Sequence, residues 1–173
     1  EDYINAKKKK GEFPEMPEDQ DVLIAVNGFI DWIKEYDVSF VESEKIVYSL
    51  KHDYSGTMDI EAIVNGKRCL IDIKTSNALY NDVRLQTAAY LMADTEEAGV
   101  KYKGRWAVRL AKETEKEYLK RMQKKGFKEI KPYVAFEAKN LDEEKENLEE
   151  DFEAFLAALK LFRWNKKTDF WQG

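Results

Sequence analysis

Residues 54–74 read YSGTMDIEAIV-NG-KRCLIDIK, two apolar-rich runs joined by Asn65-Gly66. Both central positions of a type I′ turn need positive φ, which Asn and Gly adopt at least cost. The dipeptide between alternating runs therefore predicts a β-hairpin with Val64 against Lys67. Counting back from that turn puts Asp59 opposite Asp72. Side chains alternate faces along a strand, so Asp72 and Lys74 share a face, and the register places Asp59 on the same one. Directly opposed residues hold their Cβ atoms about 4.5–5.5 Å apart, and like charges at that spacing repel. Asp72 also lies within Cys69-Leu70-Ile71-Asp72-Ile73, a run that reads as a central strand covered on both faces. Burying a carboxylate there is costly unless something positive compensates.

A divalent cation between the two carboxylates would remove the repulsion, and hard oxygen ligands suit Mg²⁺ or Mn²⁺. Lys74 would then hold a water or a phosphate beside the ion. Two plainer readings stand beside this one: a solvated charged face, and a structural Asp72–Lys74 ion pair, which leaves Asp59 without a role. A β-bulge would break the opposition of Asp59 and Asp72.

Working outward, residues 19–36 carry Val22, Leu23, Val26, Phe29, Ile30 and Ile33 at helical spacing. Residues 38–50 are β-rich. Residues 81–98 form the next helix, with Leu85, Ala88, Ala89 and Met92 on its stripe and Gly99 just past its end. Residues 103–112 and 130–138 read as strands. The polar stretch 113–125 fits either a helix or an extended hairpin arm. Residues 141–164 read as a long helix, acidic first and apolar later, which suits the helix dipole. Residues 1–18, with a lysine run at 7–10 and two prolines, read as a mobile arm ahead of one domain over 19–173. The order α-β-β-β-α-β-β-α predicts an α/β (α+β) fold, a mixed central sheet flanked by helices.

Composition narrows the chemistry. At 173 residues with 43% hydrophobic side chains, the chain can bury a core without staples. One cysteine, Cys69, excludes a disulfide framework and any four-cysteine metal site within it, and one histidine, His52, excludes sites that need two. No apolar run approaches the roughly 20 residues that span a bilayer, and no leader pattern is visible, so the expectation is a cytoplasmic domain. The chain opens at Glu1 rather than Met, which suggests a fragment or a trimmed chain. A net charge of −5 gives no global attraction to nucleic acid, although local patches decide that matter.

The string Glu44…Tyr54-x-Gly56-Thr57-x-Asp59…Ile71-Asp72-Ile73-Lys74-Thr75, followed by Gln86-Thr87-Ala88-Ala89-Tyr90 on the next helix, resembles the PD-(D/E)XK nuclease superfamily. It is most similar to the RecB-like exonuclease branch, which includes phage-type and mitochondrial single-strand exonucleases. Each motif is weak alone; four in order between residues 44 and 90 are specific. The likeness covers residues 38–92, and the rest only by element order. It implies a restriction-endonuclease-like core and a Mg²⁺- or Mn²⁺-dependent deoxyribonuclease with one or two ions that leaves 5′-phosphates and serves DNA repair or recombination. It implies Asp59, Asp72 and the Ile73 carbonyl as metal ligands, and Lys74 as the group that activates water or steadies charge on phosphorus. Glu44 would be an acid associated with the metal or its ligands, with Glu42 as competitor. Gln86 and Tyr90, four apart on one helical face, would line the site.

Thr75, Arg105 and Arg109 would contact the nucleic-acid backbone. The lysines at 7–10 and the cluster Lys116, Lys120, Arg121, Lys124, Lys125 are further candidates, and Tyr80, Tyr102 and Trp106 would stack unpaired bases. The expected partner is DNA, single- or double-stranded, with a helicase or recombination partner compatible and no membrane. The branch often carries a metal-ligating His on an upstream helix, and none precedes Glu44. His52 reads as an exposed turn residue and Cys69 as core. Two other classes compete: a catalytically silent binding module of the same fold, and a sugar hydrolase with paired acids. The latter gives Lys74 and Gln86 no role.

Overall fold

The computed structural model describes Ile4 and residues 15–127, 129–142 and 148–167. The lysine run at 7–10 and most of the expected arm lie outside these residues; Ile4 is buried in the core. Among the described residues, four helices flank a five-stranded sheet, ordered α1 (Gln20–Glu35), β1 (Val38–Ser49), β2 (Tyr54–Val64), β3 (Lys67–Lys74), α2 (Asp82–Ala98), β4 (Gly104–Leu110), α3 (Glu115–Lys124), β5 (Phe136–Asn140) and α4 (Leu148–Lys167). The strands lie side by side in chain order. Neighbours are antiparallel except β3 and β4, which are parallel and joined by the α2 crossover.

The hairpin forms as its turn requires. Asn65 and Gly66 have φ of 48° and 75°, and β2 pairs β3 from Val64–Lys67 to Ile60–Ile71. The ladder stops one pair short of Asp59 and Asp72. Strict alternation also fails there. Ile60, Ala62 and Val64 pack into the core under α1, whereas Tyr54 and Met58 belong to the cluster under α2. β1 breaks at the same level: Ser43 pairs with Ile60 and Lys45 with Met58, while Glu44 between them has φ of 53°. The β1–β2 register shifts between Phe40 and Glu42 and is unchanged across Glu44. Glu44 and Asp59 therefore meet where both strands change face.

Asp19 caps α1 by accepting the N–H groups of Asp21 and Val22 at 2.9 and 3.1 Å. Gly99, at φ 68°, closes α2 by donating its N–H to the Thr95 carbonyl. The undecided stretch 113–125 is a helix. Thr114 and Glu117 form a capping box, a signal present in the sequence as Thr-x-x-Glu. The strand expected over 130–138 lies at Phe136–Asn140, because residues 131–134 stay off the ladder and Pro132 has no N–H to donate. The helix expected from 141 is displaced as well. Residues 141–142 form a turn, and 143–147 lie outside the described residues. Among the described residues no helix is long and apolar enough to cross a membrane.

Candidate active site

The end of β3 and the second turn of α2 bring four of the sequence-predicted residues into one chain of contacts. Lys74 Nζ lies 3.0 Å from Asp72 Oδ1, 2.8 Å from Asp72 Oδ2 and 3.0 Å from Gln86 Oε1. Gln86 Nε2 donates to the Tyr90 hydroxyl at 3.3 Å. Gln86 and Tyr90 are one helical turn apart, so a single face of α2 presents both to the sheet. Gly56 makes room for the ring: a Cβ on it would stand 2.2 Å from Tyr90 Cε1. A glycine at 56 and a tyrosine at 90 are thus one packing unit.

Asp72 is 2% exposed. Burial pushes its carboxyl up to about 6, a rise opposed by the Lys74 hydrogen bond and reinforced by the negative charge of Asp59. Oδ2 accepts no directed hydrogen bond and has only the ion-pair contact with Lys74. Asp59 does not stand on the Asp72 face as strict alternation predicts. Its Oδ2 accepts the backbone N–H of Ile73 at 2.8 Å, and it lines, with Glu44 and Ile73, a cavity of about 390 Å³ under α1. Glu42 and Glu44 therefore do not share a face. Glu42 reaches toward Lys45 at 3.9 Å, whereas Glu44 stays beside Asp59.

In type these donors are those a hard divalent cation takes, although Asp59 and Asp72 stand on different faces. Asp59 and Asp72 offer carboxylate oxygens and Ile73 a main-chain carbonyl. Mg²⁺ is commonly held by one or two carboxylates, with water and phosphate completing the shell. Among the described residues no three His, Cys, Asp or Glu side chains converge as a preformed cage. The buried Asp72 Oδ2, without a directed donor, is the atom that a cation would satisfy.

Thr75 and Arg109 line a cleft of about 1190 Å³ beyond the end of β3. Arg109 is paired there with Glu137 at 3.1 Å. Arg105 is not a surface contact: it is 0% exposed, because it bonds Asp142, Asp151 and the Arg84 carbonyl, tying β4 to α2 and α4. Arg121 is held by Glu113. Tyr102 is not free to stack on bases either, since its hydroxyl donates to Asp94 at 2.6 Å and its pKa is raised by burial and by that bond. Trp106 packs edge-on against Tyr36 at 5.2 Å. Tyr80 is exposed, at 61%. His52 lies in the β1–β2 turn as expected but is half-buried rather than exposed, its ring edge against Phe152, and Cys69 is core as expected.

Sequence reasoning missed two buried charge networks. In one, Glu61, 0% exposed, receives Lys45, Arg68 and Tyr102, while Lys45 also bonds Asp94 at 2.9 Å. Burial works against the Lys45 charge, but the bonds to Asp94 and Glu61 outweigh it and hold its pKa up. The other is the Arg84, Arg105, Asp142, Asp151 group. Each balances two cations with two acids, as burial demands. No family model matches this chain, and no curated protein matches it either.

Proposed function

We propose that this chain is a metal-dependent nuclease that hydrolyses DNA phosphodiester bonds, an exonuclease of the RecB-like type within the PD-(D/E)XK superfamily. The observation that carries the reading is the Asp72–Lys74–Gln86–Tyr90 chain of contacts, which links residues of separate sequence motifs across β3 and α2. A salt bridge needed only for stability would not require a glutamine and a tyrosine behind the lysine, nor a glycine cleared for the tyrosine. Asp59, Asp72 and the Ile73 carbonyl would hold Mg²⁺ or Mn²⁺, which when bound polarises a phosphoryl oxygen and lowers the pKa of a coordinated water. Lys74 places fixed positive charge where the phosphoryl oxygens become more negative in the transition state. Gln86 aims the ammonium, and Tyr90 fixes Gln86. Glu44 adds a third acid at the level of Asp59.

The test is a gel assay on end-labelled single- and double-stranded DNA with Mg²⁺, Mn²⁺ or EDTA. The full chain is expected to cut only with metal. Lys74→Ala is expected to lower the rate by about 10²–10⁴-fold, the usual contribution of a group that moves or steadies a proton. Asp72→Asn is expected to abolish cutting. An intact, folded chain that cuts no substrate under any metal would overturn the nuclease reading and leave a silent binding module of the same fold.

A further inference from the structure

A row of charged side chains runs across the sheet from Lys74. Lys74 is the parallel partner of Arg109 on β4, and Arg109 is the antiparallel partner of Glu137 on β5. Strand partners present their side chains on one face, with backbones about 4.8 Å apart. Val108 and Leu110 point into the core under α1, so Arg109 between them is on the opposite face, the one that Asp72 shares with Ala107. Arg109 also lines the cleft beyond the end of β3, beside Thr75. Its side chain is only 13% exposed, so where its N–H groups go matters. The Nε–H goes to Glu137 at 3.1 Å, and among the described residues the two Nη groups donate no hydrogen bond. Arg121, the other arginine described along this cleft, differs: it spends Nε and Nη2 on Glu113. A guanidinium drawn out of water with its fork unspent is costly unless an anion meets the fork. Glu137, 54% exposed on the edge strand, bonds only at Nε.

We infer that the Arg109 fork binds a backbone phosphate of a nucleic-acid strand in this cleft, next to the phosphate at Lys74, and that Glu137 is an internal acid the strand displaces. The choice of nucleic acid rests on the nuclease reading; the anion site rests on the fork. Guanidinium and phosphate pair through two parallel N–H···O bonds, a geometry that an ammonium group does not supply. An exposed ion pair is worth little, so a phosphate can take the guanidinium from Glu137 at small cost. An anion held by Arg109 alone still has to outcompete that acid, whereas a strand also meets Lys74 and Thr75. Glu137 thereby favours a strand over a free anion.

The experiment is fluorescence anisotropy of a fluorescein-labelled oligothymidylate with the full chain in EDTA, between about 50 and 200 mM NaCl. Arg109→Gln is expected to bind about tenfold or more weakly, as the loss of a charge-assisted hydrogen bond requires. Its slope of log affinity against log salt should be smaller by about 0.7, one phosphate contact to a single strand. Arg109→Lys keeps the charge without the fork and should still bind at least about threefold more weakly. Glu137→Gln should tighten binding by about 1.5- to fivefold, what an exposed ion pair is worth, and should do nothing once Arg109 is replaced by Gln. Lys112→Gln removes an exposed charge from the same cleft and should cost less than about twofold. The site is overturned if Arg109→Lys binds like the wild type, if Lys112→Gln costs as much as Arg109→Gln, or if Glu137→Gln tightens binding without Arg109. Inorganic phosphate at matched ionic strength should not displace the strand; displacement from the wild type but not from Arg109→Gln would mark a free-phosphate site and overturn the strand. Variants that shift binding as expected while the wild-type chain cuts nothing in Mg²⁺ would keep the site and remove the nuclease reading. Metal-dependent cutting with binding indifferent to Arg109 would do the reverse.

Discussion

Replacing Asp72 by Asn should stabilise the metal-free protein, although it removes an ion pair. Asp72 is buried, and folding raises its carboxyl from 3.8 to about 6 even with Lys74 in contact. A raised carboxyl means that the folded state disfavours the ionised form. The gap corresponds to about 3 kcal/mol. The penalty is full above about pH 7, shrinks as the pH falls through 6, and vanishes below the unfolded value of 3.8. Asn keeps the shape without the charge. Lys74, with its side chain 28% exposed, remains in contact with Gln86 and solvent. The expected gain is up to about 3 kcal/mol near pH 8, or about 6–12 °C in Tm for a domain of this size, and close to nothing near pH 4. Urea unfolding in EDTA at the two pH values measures it. Adding Mg²⁺ should then narrow the difference, because a cation held by the native carboxylates stabilises only the wild type. A loss of stability at pH 8, or a gain of equal size at both pH values, would refute the assignment of Asp72 as a strained, unsatisfied carboxylate.

Two further outcomes follow from the same packing. Gly56→Ala forces Tyr90 aside, since the new methyl would sit 2.2 Å from its ring. Nuclease activity should fall sharply while stability drops by about 1–3 kcal/mol, which kinetics and chemical denaturation would separate. Arg105→Ala strands Asp142 and Asp151 and should cost about 3–5 kcal/mol, whereas Arg109→Ala, whose partner Glu137 is largely exposed, should change stability by less than about 1 kcal/mol; thermal unfolding of the two variants tests the contrast.

The hairpin was the most legible part of the fold because its turn chemistry is local: Asn65-Gly66 dictates the register out to Ile60 and Ile71. The face change at Asp59 was not legible. Tyr54, Gly56, Met58, Ile60, Ala62 and Val64 all fall on even numbers and read as one apolar face, yet they divide between two cores. At the same level of the neighbouring strand Glu44 has a left-handed φ, which no single-strand pattern encodes. The meeting of Lys74 with Gln86 was legible only through the family resemblance; helical spacing alone put Gln86 and Tyr90 on one face. The fate of Arg105 did not: its partners Asp142 and Asp151 lie 37 and 46 residues away, and charge pairing over that separation leaves no periodic trace. β5 starts later than its apolar pattern predicts because Pro132 has no N–H to donate to a ladder. The Thr114-x-x-Glu117 capping box is a local signal that distinguishes a helix from a hairpin arm over residues 113–125.

That long-range clasp also bears on the order of assembly during synthesis. The β1–β2 and β2–β3 ladders join strands that are consecutive in the chain, so they can form while the chain is short, and every residue of α2 has been made by position 98. Arg105 reaches its second acid only once residue 151 has been made. Until then the Arg105 guanidinium, fully buried in the finished fold, lacks that acid. The side chains around Asp72 would therefore be gathered on a nascent chain whose C-terminal helix still has to close over it, and α4 works as the latch that makes an already arranged centre permanent.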